Sequence, residues 1–277
     1  MKIKNFFLFK DGEEKSVDLD ENAKSVISLW ISKKEAEQDL KSEFFTEFVD
    51  FNDPSTLEKI NSFVKNYTAG KIDKAVESIP GNTPMAIVSA ISFKGSWKNK
   101  FNEAETKKQP FYTKGKTVSC EMMVKKSKYG YYKNEEISAC KVPYSNGFSM
   151  IAVLSEKELN EKDYENISFD EKEIVLMMPK FRVSSYYDLL PFVLEKIDPK
   201  KFSYKNIKDL EIGSITHKAF VENDEQGTEA AATTVMVMKR SMSMPVIFRL
   251  DKPFTFFIVN DSTKEIWFSG KINNPSA

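Results

Sequence analysis

Hydrophobic and polar positions alternate along this chain in short runs, a pattern that predicts more strands than helices. β-Branched and aromatic residues predict a strand at residues 25–32 and a buried strand at residues 83–93. Short apolar segments broken by turn residues predict a β-rich region over residues 111–154. The same signals predict five further strands, at residues 173–183, 217–222, 245–250, 254–259 and 266–272.

Apolar residues recur at helical spacing in three segments. One helix is predicted over residues 33–48, where these residues share a face: Leu40, Phe44, Phe45 and Phe48. A second helix is predicted to begin with Ser55 or Thr56 as its N-cap and to end at Gly70. A third, short helix is predicted over residues 188–197. Many strands with few strand–helix–strand alternations predict one mixed α+β domain over residues 1–277.

Composition narrows the class of protein. Apolar residues make up 41% of the chain and aromatic residues 13%, enough to build a core. Lys plus Arg number 41 and so do Asp plus Glu, which argues against a general binder of nucleic acid or of anionic membranes. A local basic patch remains compatible with that balance. The basic, apolar N-terminus has no small-residue cleavage site, which favours a surface or edge strand over a signal peptide.

Conventional enzyme chemistry has little support in the sequence. His217 is the only histidine, and no motif joins it to a nucleophile. Cys120 and Cys140 are too few for a disulfide framework or a structural zinc site. No glycine-rich phosphate motif occurs. We therefore predict that the protein is not an enzyme and binds no cofactor or metal.

One segment, residues 227–244, fits neither an ordinary strand nor a polar loop. In an extended conformation one of its faces would carry small, then flexible apolar side chains: Thr228, Ala230, Ala232, Thr234, Met236 and Met238. Such a strand could enter between two existing strands with few clashes. Gly227 supplies a conformational pivot, and the absence of proline leaves every backbone N–H free to pair. The alternative is an exposed helix beginning at residues 229–232.

These residues resemble the hinge of inhibitory serpins, and the strand before them begins with the family's His-Lys-Ala sequence at His217. Other segments resemble family motifs in the family's order: Ile60-Asn61-Ser62-Phe63-Val64, Thr68-Ala69-Gly70-Lys71-Ile72, Phe93-Lys94-Gly95-Ser96-Trp97, Met178-Pro179-Lys180-Phe181, Phe248-Arg249-Leu250-Asp251-Lys252-Pro253-Phe254 and Ile266-Trp267-Phe268-Ser269-Gly270-Lys271-Ile272-Asn273-Asn274-Pro275. The resemblance covers residues 25–275. Thr255 departs from it, because the family usually has an apolar residue there.

The resemblance implies an α+β serpin fold: a large central mixed β-sheet, two smaller sheets, peripheral helices and an exposed reactive-centre loop at about residues 225–245. It implies a suicide inhibitor of serine proteases, in which cleavage of the loop is followed by its insertion into the central sheet. The expected partner is a target serine protease, the protein is expected to be a monomer, and neither nucleic acid nor membrane is expected. The alternative is a non-inhibitory serpin-fold binding or chaperone protein, or an inactive truncated serpin.

The resemblance also assigns site residues. The hinge comprises Glu225, Gly227, Thr228, Glu229, Ala230, Ala231, Ala232, Thr233 and Thr234. The region where the sheet opens comprises Lys180, Trp97, Ser89 and His217. Glu225 and Lys180 are expected to form a salt bridge. Ser89 stands where the family usually has Asn, so the hydrogen bond to His217 is expected to be lost or rearranged.

The predicted position of the cleaved bond depends on the end of the loop from which residues are counted. Counting forward from the hinge places Ser241 before the bond, and counting back from the signature strand places Met242 there. Arg240 adjoins these positions and suits a trypsin-like pocket, where a buried carboxylate pairs with arginine. Cleavage between Arg240 and Ser241 is therefore favoured. Cleavage after Met242 would suit chymotrypsin-like or elastase-like enzymes.

Two expectations concern the N-terminus and the location of the protein. The family's N-terminal helices have no evident match in residues 1–24, so the chain is expected to be a serpin short at its N-terminus. Three glycosylation sequons begin at Asn66, Asn166 and Asn260 and permit an extracellular protein, which is the predicted location, and an intracellular one is the alternative because no signal peptide is seen.

Overall fold

A computed structural model describes residues 23–34, 44–157, 159, 163, 167–195, 211–226 and 245–276. Contacts divide the chain into two compact units. Among the described residues, the first unit holds those of 94–182 and 222–276, and the second holds those of 23–93 and 183–221. The prediction of a single domain over the whole chain stays a prediction.

The second unit is organised around a five-stranded sheet with the order β2-β1-β3-β10-β9. Its strands are β1 (Ala23–Ser32), β2 (Phe45–Val49), β3 (Met85–Phe93), β9 (Phe181–Asp188) and β10 (Ile212–Asn223). β3 pairs antiparallel with β1 and parallel with β10, so the sheet is mixed as predicted. β9 and β10 each continue for two residues into the first unit.

Helix α1 (Pro54–Tyr67) packs on one face of this sheet. The prediction of Ser55 or Thr56 as its cap was wrong, because the Asp53 carboxylate accepts the Ser55 N–H at 2.9 Å. Pro54 explains the shift, since proline has no N–H to satisfy and suits the first helical position. The helix ends at Tyr67, and Gly70, with a φ of +76°, donates its N–H to the Lys65 carbonyl beyond the helix end.

The predicted helix over residues 33–48 was wrong where the structure describes it. Phe45 to Val49 form β2, an edge strand that pairs parallel with β1. Phe45 stacks on Phe63 of α1 with ring centroids 4.1 Å apart, and Phe63 in turn meets Trp30 edge-on at 5.8 Å. Pairing with β1 and this aromatic packing outweigh the local helical spacing. Residues 35–43 lie outside the described part of the chain.

The first unit contains an eight-stranded sheet with the order β11-β8-β5-β6-β7-β12-β13, and β4 also pairs with β5. Its strands are β4 (Lys107–Tyr112), β5 (Thr117–Lys133), β6 (Ile137–Pro143), β7 (Phe148–Ser155), β8 (Asp170–Pro179), β11 (Val246–Arg249), β12 (Phe254–Asn260) and β13 (Ile266–Ile272). The long strand β5 pairs with β4, β8 and β6 in turn. The two smaller sheets expected from the resemblance are therefore joined by hydrogen bonds into one.

Two predicted elements are shorter or divided in the structure. The strand predicted over residues 173–183 is divided at Lys180, which lies between β8 and β9 and donates its backbone N–H to the Glu121 carbonyl of β5 at 2.8 Å. The helix predicted over residues 188–197 appears as α2 (Leu190–Leu194). Among the described helices, none is long and apolar enough to cross a membrane.

Candidate functional site

The structure brings Lys180 and Glu225 together at the described start of the loop. Lys180 Nζ lies 3.0 Å from Glu225 Oε2, so the predicted salt bridge is present. Glu225 is only 5% exposed. Burial alone would raise the pKa of this carboxyl, but the hydrogen bonds from Lys180 and Thr106 and the charge of Lys180 together outweigh burial, so the pKa lies below its ordinary value. The negative charge of Glu225 is therefore retained where β10 passes into the loop.

A second group of charges surrounds Glu222, which is buried at the end of β10. Lys94 Nζ lies 3.2 Å from Glu222 Oε2 and 3.1 Å from Asp224 Oδ2. Arg182 Nη2 reaches the other Glu222 oxygen at 2.7 Å. Sequence reasoning missed Lys94, Arg182 and Glu222 as a group. Lys94 lies inside a recognised motif, but only the fold brings it to residues far along the chain.

Trp97 contacts the segment that follows β10, at Asp224. Its ring stacks on Tyr144 with centroids 4.2 Å apart and planes 11° apart. Its Nε1–H donates to the Asp224 carbonyl at 2.8 Å. Since Trp97 is 2% exposed, this hydrogen bond is shielded from water. The placement of Trp97 beside the loop start agrees with the region assigned to it from the sequence, and its role in sheet opening stays a prediction.

In the second unit, Ser89 and His217 face each other across the parallel pair β3 and β10. Ser89 Oγ lies 3.0 Å from His217 Nδ1, so of the two expected outcomes the bond is not lost, and it is made here by a serine hydroxyl. The serine hydroxyl reaches the imidazole because the two residues are direct register partners. Burial lowers the pKa of His217 from 6.5 to about 4, which keeps the ring neutral at neutral pH.

This serine–histidine contact does not provide a hydrolase site. Both residues are more than nine-tenths buried, at 6% and 4% exposure. A nucleophile must be open to its substrate, and a histidine with a pKa of about 4 is a weak general base. Cys120 and Cys140 are free and buried, and burial raises the pKa of both thiols. The described residues include no cluster of three or more potential metal ligands.

The described end of the loop is anchored at β11 in the first unit. Arg249 donates from Nη2 to Gln109 Oε1 at 2.9 Å, and its Nε lies 2.9 Å from Asp251 Oδ2. The Leu250 N–H donates to the Met177 carbonyl at 2.9 Å. These bonds fix the signature strand beside β8. The rest of the hinge, from Gly227 to Thr234, and the bond candidates Arg240, Ser241 and Met242 lie outside the described residues.

A cavity of about 590 Å³ opens beside the loop start, entirely within the first unit. Its wall includes Lys108, Cys120, Lys180, Arg182 and Asn223. Asn223 donates to the Pro179 carbonyl at 2.9 Å, while its Oδ1 accepts no hydrogen bond from the described residues. Several charged side chains of the wall are paired, Lys180 with Glu225 and Arg182 with Glu222, whereas Lys108 has no salt bridge among the described residues.

Comparison with known proteins gives the same family at the level of sequence. The family model described as "Serpin (serine protease inhibitor)" matches residues 21–275. Iripin-2 of Ixodes ricinus is 32% identical over 86% of this chain and 67% of its own length. Leukocyte elastase inhibitor A of Rattus norvegicus is 33% identical over 82% of this chain and 69% of its own length. An uncharacterized serpin-like protein of Thermococcus kodakarensis is 28% identical, and this chain spans 66% of its length.

Solved structures of similar fold extend the comparison. Thyroxine-binding globulin, solved in complex with thyroxine, superposes with a TM-score of 0.77 at 25% identity, covering 93% of this chain and 77% of that chain. Native protease nexin-1, solved with heparin, gives a TM-score of 0.76 at 26% identity, covering 91% of this chain and 76% of that chain. The chain thus spans about two thirds of the length of the curated relatives that it matches, and about three quarters of these solved chains.

Proposed function

The chain belongs to the serpin family, and on that premise we propose that it inhibits a serine-type endopeptidase by offering residues 227–244 as a cleavable loop. After cleavage, the hinge would enter the five-stranded sheet between β3 and β10. The protease, still joined to the loop as an acyl-enzyme, would be displaced with it. The hinge sequence supports this step, because its small alternating side chains could be buried between two strands.

The proposal depends on the relative direction of β3 and β10, the two strands that would separate. β3 and β10 run parallel to each other, and the loop follows directly on β10. A chain that turns back after β10 would run antiparallel to both neighbours and could pair with both. The two strands are held by their ladder and by the Ser89–His217 hydrogen bond, all of which would have to open.

The buried ion pair supports a defined start for insertion. Glu225 is fixed by Lys180, and the Asp224 carbonyl by Trp97, immediately before the hinge. The chain up to Gln226 is therefore held in place in the uncleaved protein. Gly227, the next residue, is where the backbone can turn, since glycine adopts conformations that other residues avoid.

Incubation with trypsin followed by a denaturing gel tests the proposal. We expect a covalent band at the summed mass of the two proteins and, from mass spectrometry of the released peptide, cleavage after Arg240. The variant Ala232→Arg should be cleaved without forming the band, because a charged side chain would be placed on the inserting face. Ala231→Arg lies on the opposite face and serves as the matched control.

The competing proposal is a serpin-fold protein that binds or chaperones without inhibiting. A structure of similar fold is titled as a complex with thyroxine, which illustrates a small-molecule ligand on this fold. Loop cleavage without a covalent band, across trypsin-like, chymotrypsin-like and elastase-like enzymes, would favour this alternative. Cleavage after Met242 by a chymotrypsin-like enzyme, with a covalent band, would keep the inhibitor and change its target.

The inhibitor is proposed to act as a monomer outside the cell. Light scattering of the purified protein would measure its molecular mass. Detection of the protein in the culture medium of the source cells, compared with a cell lysate, tests the location.

A further inference from the structure

Lysines are concentrated in one part of this neutral chain. Residues 94–133 contain eleven Lys and three Glu, with no Asp or Arg, giving a formal charge of +8. Because the whole chain has a net charge of zero, the remainder carries the balancing negative charge. This stretch includes the hairpin formed by β4 and β5, joined by a turn in which Gly115 has a φ of +99°.

Four lysines of the hairpin are exposed and have no salt bridge within the described part of the chain: Lys107, Lys108, Lys114 and Lys116. Farther along β5, by contrast, Lys126 lies 3.2 Å from Glu173 and Lys128 lies 3.5 Å from Glu171. Lysines without a salt bridge are therefore densest on the hairpin, although Lys125 and Lys133 farther along β5 also have none among the described residues, and Lys108 is the register partner of Glu121. Tyr112, 52% exposed on the same hairpin, adds an amphipathic ring of the kind enriched at protein interfaces.

The hairpin and the short 3-10 helix before it contact the chain on both sides of the loop, at Gln226 and beyond Pro245. On one side, Gln226 donates from Nε2 to Glu103 Oε1 at 2.7 Å, four residues before Lys107. On the other side, Arg249 donates to Gln109 at 2.9 Å, and the Tyr112 N–H donates to the Asp251 carbonyl at 2.7 Å. A protein that engages residues 227–244 would thus approach the molecule where these lysines lie.

We infer that the β4–β5 hairpin is a docking surface for a protein with an acidic surface, and that this partner is the protease that attacks the loop. The inference rests on the proposed function. The net charge of the whole chain is zero, which argues against a general nucleic-acid binder and leaves a protein as the partner. Four lysines on one hairpin suffice to steer an acidic protein during encounter, since complementary charge raises association rates by roughly 10-fold or more at low salt.

The test uses anionic and cationic trypsin, two enzymes of the same cleavage specificity and opposite net charge. The second-order rate constant of loop cleavage is measured for each at about 10 mM and about 1 M ionic strength, where charges are weakly and strongly screened. The four-substitution variant Lys107→Gln, Lys108→Gln, Lys114→Gln and Lys116→Gln is compared with a control that loses four exposed lysines outside the stretch 94–133: Lys33→Gln, Lys34→Gln, Lys74→Gln and Lys264→Gln.

For the natural sequence we expect a preference for anionic trypsin at low salt that disappears at high salt. At low salt, the ratio of the cleavage rate constant for anionic trypsin to that for cationic trypsin should fall about 10-fold in the hairpin variant. It should fall much less in the control variant, because steering depends on charge close to the loop. Equal losses in the two variants, or no preference at low salt, would overturn the inference.

This outcome is separable from that of the proposed function. Charge-dependent cleavage without a covalent band would retain the docking surface and reject the inhibitor. A covalent band would support the inhibitor. If the rate constant of cleavage is then independent of the enzyme's charge and of the salt concentration, the docking surface is rejected. If neither trypsin cleaves the loop at low salt, the docking surface is rejected, whereas the inhibitor is rejected only if chymotrypsin-like and elastase-like enzymes also form no covalent band.

Discussion

At the scale of single residues, His217 shows how burial turns a titratable group into a structural one. The sequence offered it as the only histidine, and its neighbours in the chain suggested no catalytic partner. In the fold it meets Ser89 across two strands and is 4% exposed. The same contact that could be mistaken for a nucleophile–base pair links two strands that the proposed mechanism must separate.

The buried imidazole predicts a pH dependence of stability. In the unfolded chain His217 binds a proton near pH 6.5, but in the folded protein its pKa is about 4. Between these values the unfolded state binds more protons, so the free energy of unfolding falls as the pH is lowered from 6.5 to 4. The loss attributable to this group should reach about 3 kcal/mol at the acidic end.

Urea unfolding at several pH values, for the natural sequence and for His217→Gln, measures this effect. Carboxylates also titrate in the window, but they contribute equally to both proteins. The difference in stability between the two should therefore change with pH by the histidine contribution alone. A difference that stays constant between pH 4 and 7, a window set by the two pKa values, would contradict the prediction.

At the scale of elements, the pair β12 and β13 shows why a family motif keeps a glycine in a strand. Gly270 is the register partner of Phe256, which is completely buried. A Cβ added at Gly270 would lie 2.7 Å from Cε1 of the Phe256 ring and 2.8 Å from its Cζ. The aromatic ring occupies the space that a side chain on the opposite strand would need.

We expect Gly270→Ala to destabilise the protein by about 1–3 kcal/mol through this overlap. Phe256→Leu makes room, at its own cost in lost packing. The double variant should be more stable than the sum of the two single losses predicts, because the smaller side chain removes the overlap. Denaturant unfolding of the three variants measures the coupling, and strictly additive losses would argue against ring overlap as the cause.

The elements also show where local patterns mislead. The three closing strands were predicted within a residue of their observed bounds, because apolar alternation and turns coincide there. Residues 44–48 share helical spacing, yet Phe45 to Val49 extend as an edge strand against β1. The spacing of apolar residues indicates which of them will be buried. Whether the segment forms a strand or a helix depends on the neighbouring element against which they are buried.

At the scale of the whole molecule, the proposed insertion predicts that cleavage makes the protein more stable. The hinge of eight residues, 227–234, would gain backbone hydrogen bonds to β3 and β10. At about 1 kcal/mol for each residue inserted, and about 2–4 °C for each kcal/mol, the melting temperature should rise by roughly 20 °C. A single transition before and after cleavage would also support the predicted single domain.

Calorimetry of the intact and loop-cleaved protein measures this rise. The melting temperature of the cleaved Ala232→Arg variant should be close to that of the intact protein, because its hinge cannot be buried. Cleaved Ala231→Arg should behave like the natural sequence. An unchanged melting temperature in the cleaved natural protein would favour a non-inhibitory role.

The sequence by itself determined the family, the mixed strand-rich fold and the position of the candidate loop. Hydrophobic alternation and motif order are local properties, so they can be read along the chain. The sequence also placed Glu225 opposite Lys180, but only through the resemblance, since the two are 45 residues apart. Nothing local to either residue required the pair.

The tertiary structure alone decided which distant residues meet. It joined Lys94 and Arg182 to Glu222, kept the Ser89–His217 bond despite the shorter side chain, and paired Asp53 with the start of α1. It also brought the hairpin to β11, which follows the loop, and the 3-10 helix before the hairpin to Gln226, which precedes the loop. Such contacts depend on strand register and on burial, which lowers the effective dielectric and strengthens each charge pair. Both are set by the packing of segments far apart in the chain.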